Sequence, residues 1–427
     1  MTESVKERQK FEQRILVASV AGPALNFASA PLLASALGTS GRGTVAAVVS
    51  AFFILRYLST FGGQEAALSA AGWPDLGVAG AARATSRWIF PISVVVTLIA
   101  FGAAPLIFPR DAAAVDIFRA VVLLVPIAAV SDGQRFALTA DRQWRPIVAQ
   151  ILLPRVVRVV GALIMVLAVI DSPAVGSAVS VVGVVLGAIA VMVAVRRIPG
   201  PRELSSEVER KFRRFAAQLG PGQLARLGNR RLDQILLAAV AGSSQLGIYA
   251  VAVALAEVAD LPTRTVRQIA MRSVARSSGP EIHDYFRAGL LLFVPAALAL
   301  GLALPVVLWL IFPASFFGAL WPGELLLVGG VANYVKDVLG VSLVTSESAK
   351  LESSLQLITL GVAVVAVLVL GSVLGAVGAA VAALISYTVG AILIGVWFLK
   401  NSPGVDLKSL VPRRSDLAVA KAMVFAR

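Results

Sequence analysis

No cysteine occurs anywhere in the 427 residues. That excludes disulfides, thiolate metal sites and a cysteine nucleophile. Histidine is almost as scarce: only His283, in a polar stretch, so a histidine-based triad or zinc site lacks its ligands. Charged residues make up 15% of the chain, where a soluble domain carries about 25%. Neither a G-x-x-x-x-G-K-[ST] phosphate loop nor an aspartate-rich metal motif occurs, which argues against an ATP-driven pump and a metal-dependent glycosyltransferase. The sequence therefore predicts no catalytic, cofactor-binding or metal-binding residues.

Apolar sequence is what the chain has in excess. Hydrophobic residues make up 58% and the mean hydropathy is +0.85. Apolar segments of roughly 20 residues, the length that crosses a hydrocarbon core of about 30 Å, recur along the whole chain. They predict an all-α polytopic membrane protein, because a span must satisfy its own backbone hydrogen bonds and these runs are too long for barrel strands. Twelve spans are expected, at 14–37, 44–71, 86–108, 113–140, 147–170, 174–195, 213–241, 243–270, 285–312, 318–346, 353–372 and 374–399.

Lysine and arginine orient them. With the N-terminus inside, 27 basic residues fall in the cytoplasmic segments and only Arg42 and Arg110 in the opposite loops. Both termini are expected in the cytoplasm, and the protein in the cytoplasmic membrane. The net charge of +14 reads as topology and contact with the anionic leaflet rather than a nucleic-acid footprint. "FASA" at 27–30 resembles a cleavage site, but the apolar run continues through it to Leu37, so no cleavable signal is expected.

Two stretches match without gaps at an offset of 204. "LLASALGTSGRGTVAAVV" (32–49) and "LLAAVAGSSQLGIYAVAV" (236–253) share 8 of 18 positions, including the Gly-x-Ser-x-x-Gly turns 38–43 and 242–247. Six spans separate the copies, an even number, so the repeat is parallel, about an axis along the membrane normal. The expected organisation is a cytoplasmic N-terminus (1–13), an N-lobe (14–197), a charged cytoplasmic linker (198–212), a C-lobe (213–399) and a basic cytoplasmic tail (400–427), the tail solvated or lying on the surface.

Nine basic residues fall inside the spans: Arg56, Arg119, Arg135, Arg155, Arg158, Arg226, Arg230, Arg231 and Lys336. An arginine at the bilayer centre costs about 2.5–3.5 kcal/mol on insertion scales, so these must pair, snorkel or line a cavity. Asp132 and Arg135 share a helix face, as do Asp116 and Arg119. Away from the interfaces, eight basic residues face six acids, among them Asp233, which leaves the interior net positive by about two. Arg226, Arg230 and Asp233 lie on one stripe, with Arg231 about 100° away. Asn26 follows the Gly22-Pro23 kink at similar depth. A cationic cavity of this kind suits an anionic cargo, since the arginine fork donates bidentate bonds to phosphate.

"LLASALGTSGRGTVAAVVSAFFILRYLSTFGGQEAAL" and "NRRLDQILLAAVAGSSQLGIYAVAVALAEV", with Arg231-Leu232-Asp233 ahead of Gly247, Tyr249 and Ala252, resemble the corresponding helices of polysaccharide flippases. These are the Wzx-type, O-antigen and oligosaccharide branch of the multidrug/oligosaccharidyl-lipid/polysaccharide exporter superfamily. The resemblance implies two six-helix lobes arranged as an inverted V around a central cavity, as in MATE transporters. It implies a non-enzymatic, alternating-access flippase that moves a polyprenyl-diphosphate-linked oligosaccharide across the cytoplasmic membrane for surface polysaccharide assembly. The head-group contacts expected first are Arg56, Arg226, Arg230 and Arg231. Arg155, Arg158 and Lys336 come second, with Asn26 beside them, and Asp233 orients Arg230 or responds to a coupling ion. No cofactor is implied; H+, Na+ or the membrane potential supplies the energy. The partners implied are the lipid-linked glycan, membrane lipids and the polysaccharide polymerase machinery, with no nucleic acid. The alternatives are a small-molecule or drug antiporter of the same fold, a lipid-linked peptidoglycan-precursor flippase and a membrane glycosyltransferase. A cationic drug needs acids and aromatics, and aromatics are only 7% here. A glycosyltransferase needs ionisable groups on a sizeable outer loop, and 312–323 has none.

Overall fold

The computed structural model describes residues 3–200, 204–260, 263, 266, 267, 270, 282–345, 349–402, 405–413 and 415–425. Within these, the side chains of 3–10, 12, 13, 16, 19, 20, 222, 224–231, 343–345, 349, 350, 352, 353 and 421–425 lie outside the description. The described residues form helices α1 (Glu3–Thr60), α2 (Gly63–Ala70), α3 (Gly77–Ile107), α4 (Ala112–Val122), α5 (Val125–Ala140), α6 (Trp144–Leu167), α7 (Pro173–Arg196), α8 (Ser206–Ala259), α9 (Ile282–Ile311), α10 (Leu320–Thr345), α11 (Ala349–Ala366), α12 (Ser372–Asn401) and α13 (Asp416–Phe425). No strand occurs among them.

Several of these helices are too long to be one span, and glycine explains why they bend. α1 breaks at Gly38 (φ 64°, ψ −173°) and α8 at Gly242 (φ 84°, ψ 172°). Both glycines sit in a backbone region that is essentially closed to residues with a Cβ. α12 breaks at Gly375. α4 and α5 meet at a 52° bend, where Pro126 starts α5 and cannot continue the hydrogen-bond ladder. Among the described residues, nine helical stretches are long and apolar enough to cross a membrane if that bent pair counts as one. Three are broken in two at a glycine, so counting arms separately gives the expected twelve. The second expected span, 44–71, is itself interrupted at Phe61 and Gly62, both with positive φ, and completed by α2.

The chain divides into two units, Met1–Gly247 and Ile248–Arg427, with the division inside α8. In the first unit, one end is packed by small residues of α2, α3 and α5, including Ala66, Ala67, Ala70, Ala81, Ala82 and Ala137, around Phe212 of α8. Alanine lets helices approach closely where there is no hydrophobic driving force against lipid. The other end packs Leu33, Leu37, Val45 and Val49 from both arms of α1 against Ala162 and Met165 of α6. Arg42, expected in an outer loop, is buried here. In the second unit, Phe286 and Phe293 of α9 flank Tyr334 of α10, whose hydroxyl donates to the Phe286 carbonyl at 2.7 Å. The outer side of α9 exposes Leu298, Leu302, Val306 and Trp309, a stripe at helical spacing whose solvent is lipid.

The tail does not lie free. Val405 and Leu410 pack against the second unit's core, and Arg287 at the start of α9 holds the rest. Its guanidinium bonds Asp416 at 2.9 Å, Asp284 at 2.5 Å and the Ser409 carbonyl at 2.7 Å. Charge counting could not show this, because Arg287 and Asp416 are both in polar sequence. Burial pushes the Asp416 carboxyl up, but bonds from Arg287 and from the Arg413 N–H outweigh it and hold it below its ordinary value of 3.8. A depressed carboxylate stabilises docking above that value and ceases to as pH falls through the lowered folded value. Acidifying from about pH 4 downward should therefore release the tail progressively to added protease, and Asp416→Asn should make it cleavable at pH 7.

Candidate functional site

The two copies of the repeat meet within the first unit. The Gly38–Gly43 and Gly242–Gly247 turns pack on each other reciprocally. A Cβ on Gly43 would strike the Ser243 carbonyl, and one on Gly247 would strike the Thr39 carbonyl. These are equivalent contacts at the 204-residue offset. Ser40 Oγ lies 3.4 Å from Ser243 Oγ, and Ser244 Oγ donates to Thr39 Oγ1 at 3.2 Å. Contacts in which i meets j and j's equivalent meets i's equivalent are the mark of a two-fold relation.

From this point the second arm of α1 and the first arm of α8 run side by side. Midway, Ser50 Oγ donates to Gln234 Oε1 at 2.5 Å. At the far end the Gln223 amide donates to Thr60 Oγ1 at 2.8 Å and to Gln64 Oε1 at 3.2 Å, while its oxygen accepts from the Gly62 N–H. Gly62 comes so close to α8 that a Cβ would strike the Ala216 carbonyl. The seam is thus closed at both ends and in the middle by uncharged side chains. A search for intramembrane charge overlooks these residues. Glutamine at Gln64, Gln150, Gln223 and Gln234 within apolar sequence was the available signal.

The basic residues divide into several kinds. Arg56 is not a free charge: its Nε lies 2.7 Å from Asp132 Oδ2, with Asp132 buried at 1% exposure. Arg56 also leans over the Phe53 ring. The Gln150 amide donates to the other Asp132 oxygen at 3.2 Å and to Ser131 at 3.0 Å. The pairing of Asp132 with Arg135 on one helix face is therefore wrong. Asp132 points inward to α1, and Arg135 lies over Phe136. A neighbouring helix offers a buried carboxylate a better-placed cation than its own helix does. Asp116 and Arg119 do pair as expected, at 3.9 Å and exposed.

Arg155 crosses from α6 onto the first arm of α1. A Cβ on Gly22 would lie 2.7 Å from the Arg155 Nε, so the Gly22-Pro23 step is the opening that admits the guanidinium. Arg155 Nη1 donates to the Ile151 carbonyl on its own helix. Arg158 follows one turn along α6 and Asn26 one turn along α1, both half-buried. Arg56 and Asn26 thus stand on α1 and Arg155 lies against it. Asp233 is half-buried on α8, next to Gln234. Ser50, the partner of Gln234, lies about 9 Å along α1 from Arg56. Arg226, Arg230 and Arg231 stand on the first arm of α8, and their side chains lie outside the described residues.

Lys336 belongs to the second unit and is 6% exposed. Its stem fills the space left by Gly390, where a Cβ would meet Lys336 Cδ at 2.7 Å and Thr359 Cγ2 at 3.0 Å. Its ammonium lies 5.2 Å above the Tyr387 ring. No carboxylate pairs with it among the described residues. No group of three or more potential metal ligands occurs among the described residues.

Residues 83–287 match the model of a family described as polysaccharide biosynthesis protein. A sequence comparison with curated proteins finds no match. Among solved structures, the chain is similar to the lipid II flippase MurJ in an inward closed conformation (TM-score 0.72, 12% identity, 96% of this chain and 90% of that one). It is also similar to a multidrug resistance MATE transporter in an inward-facing conformation (TM-score 0.64, 13% identity, 91% and 100%). A third is a transporter from Pyrococcus furiosus described as having a binding pocket of reversed polarity (TM-score 0.57, 12% identity, 94% and 98%). At these identities the shared property is the fold. The chain is a multi-pass membrane protein with the fold of the multidrug/oligosaccharidyl-lipid/polysaccharide exporters, and its residues 83–287 are similar to the polysaccharide biosynthesis protein family.

Proposed function

We propose that the protein is an alternating-access flippase of the cytoplasmic membrane, which moves a polyprenyl-diphosphate-linked oligosaccharide to the outer leaflet for surface polysaccharide assembly. The observation that carries this reading is a polysaccharide-biosynthesis sequence match on a transporter fold. One structural neighbour is a lipid II flippase, which supports a fold able to carry a head group while the lipid tail stays in the bilayer.

In this reading the diphosphate is bound by arginine. Arg226, Arg230 and Arg231 are its first contacts, with Arg155, Arg158 and Asn26 alongside the α1 kink. Arg56 contributes a guanidinium already neutralised by Asp132, so the cargo must compete with that carboxylate for it. Lys336 is a further basic contact in the second unit. Asp233 orients Arg230. Opening and closing follow from parting the seam between the second arm of α1 and the first arm of α8, driven by H+ or Na+ coupling or by the membrane potential. Positive-inside counting puts both termini in the cytoplasm.

Depleting the protein in its host should leave completed lipid-linked repeat units on the cytoplasmic leaflet, relieved by wild type and not by Arg230→Ala. Intact surface glycan with no such accumulation would move the assignment to a small-molecule exporter of the same fold.

A further inference from the structure

A groove of about 560 Å³ lies outside the α1–α8 seam, on the first unit, where α3, α5 and the start of α8 meet. Its lining is Ser86, Arg87, Phe90, Pro91, Val130, Glu209 and Arg213. Two kinds of surface are joined there. At one end, Arg87 lies 3.2 Å and Arg213 2.7 Å from a single carboxylate, Glu209. Each carboxylate charge answers one guanidinium, so the cluster keeps a net positive charge. Both arginines remain half exposed, at 47% and 53%. Ser86 is held beside them, its hydroxyl accepting from the Gln134 amide at 2.9 Å. At the other end, one turn further along α3, Phe90 is 56% exposed and Pro91 is exposed with it.

The position of this junction matters. Ser86 and Arg87 stand where α3 passes from the Ala- and Arg-containing stretch 77–87 into the apolar run that follows. A cationic end at the depth of lipid head groups, continuous with an exposed apolar end at the depth of acyl chains, complements one class of ligand. Basic pockets between transmembrane helices at this depth take anionic lipid head groups. A free anion would use only half the groove, and an apolar molecule would leave the arginines unanswered.

We infer that this groove is a binding site for a phosphate-headed membrane lipid, with the phosphate between Arg87 and Arg213 and the chain along Phe90 and Pro91. Glu209 competes with the phosphate for both guanidinium groups. The site is separate from the proposed cargo path and does not depend on the identity of the cargo.

The test uses the full chain in phosphatidylcholine nanodiscs with and without phosphatidylglycerol, reading the phosphatidylglycerol retained per protein after a detergent wash. Wild type should retain it, and each of Arg87→Gln and Arg213→Gln should weaken retention about fivefold, as one surface arginine near a lipid head group contributes. Glu209→Gln should strengthen retention, because it removes the competitor; a purely structural carboxylate would give the opposite sign. Inorganic phosphate at millimolar concentration should not displace the lipid. Displacement by phosphate alone would overturn the assignment to a lipid. So would equal retention in wild type and the double Arg87→Gln/Arg213→Gln protein, or weaker retention in Glu209→Gln.

Discussion

Gly43→Leu is expected to reduce transport about tenfold or more while the protein still reaches the membrane. The backbones of the two repeat turns touch at Gly43 and Gly247, and a side chain on either meets a carbonyl of the other turn. Carbonyl and helix cannot yield as a flexible side chain does, so the turns must part. Overpacking of this kind costs about 1–3 kcal/mol, and 1.4 kcal/mol is a tenfold change in a conformational equilibrium. The closed seam is then lost as a populated state, while each helix keeps its own hydrogen bonds. Gly247→Val should behave alike, because the contact is reciprocal. Gly102→Val is the control, since nothing lies within 4 Å of a Cβ there. The seam can also be read directly. A cysteine placed at Ser40 in this cysteine-free chain should react faster with a hydrophilic maleimide in the Gly43→Leu protein. Unchanged labelling and transport would show that the turns do not open and close in the cycle.

Asp132→Ala should lower stability by about 3–5 kcal/mol, the usual cost of stranding one member of a buried ion pair. Arg56 is 12% exposed and Asp132 1%, so neither can regain water easily when its partner is removed. The double variant Arg56→Met/Asp132→Leu should recover most of the loss, because replacing both partners by apolar groups of similar size leaves no buried charge. Thermal unfolding of the detergent-solubilised proteins measures both. The double variant also separates structure from transport. If Arg56 contacts the diphosphate, the restored protein stays folded and transports poorly. If transport returns with stability, Arg56 serves packing alone.

Much of the fold was legible because a membrane leaves few solutions. Length and hydropathy locate the spans, and the structure departs from them chiefly at Phe61 and Gly62, where a tight approach to α8 rather than polarity interrupts the helix. The repeat was visible through Gly-x-Ser-x-x-Gly because its glycines are required twice over, by backbone angle at Gly38 and Gly242 and by contact at Gly43 and Gly247. The pairing of charges was not legible. Asp132 lies three residues from Arg135, yet it pairs with Arg56, which is remote in sequence. Helical spacing says which residues share a face and nothing about which helix that face meets. The glutamine bonds of the seam were overlooked for a related reason: Gln223 and Gln234 carry no charge, so only their partners reveal them. The docked tail was hidden because Arg287 and Asp416 read as ordinary solvated charges until packing encloses them.

Flipping in vitro tests the proposed function. The purified protein is reconstituted into vesicles with a polyprenyl-diphosphate oligosaccharide bearing a fluorophore, and the labelled lipid open to a membrane-impermeant quencher is followed over time. Wild-type vesicles should let the quencher reach the whole pool, Gly43→Leu vesicles should do so about tenfold more slowly, and protein-free vesicles should leave the inner-leaflet half protected. Equal protection in wild-type and protein-free vesicles, with a correctly folded protein and a drawn proton or sodium gradient, would contradict the proposed function.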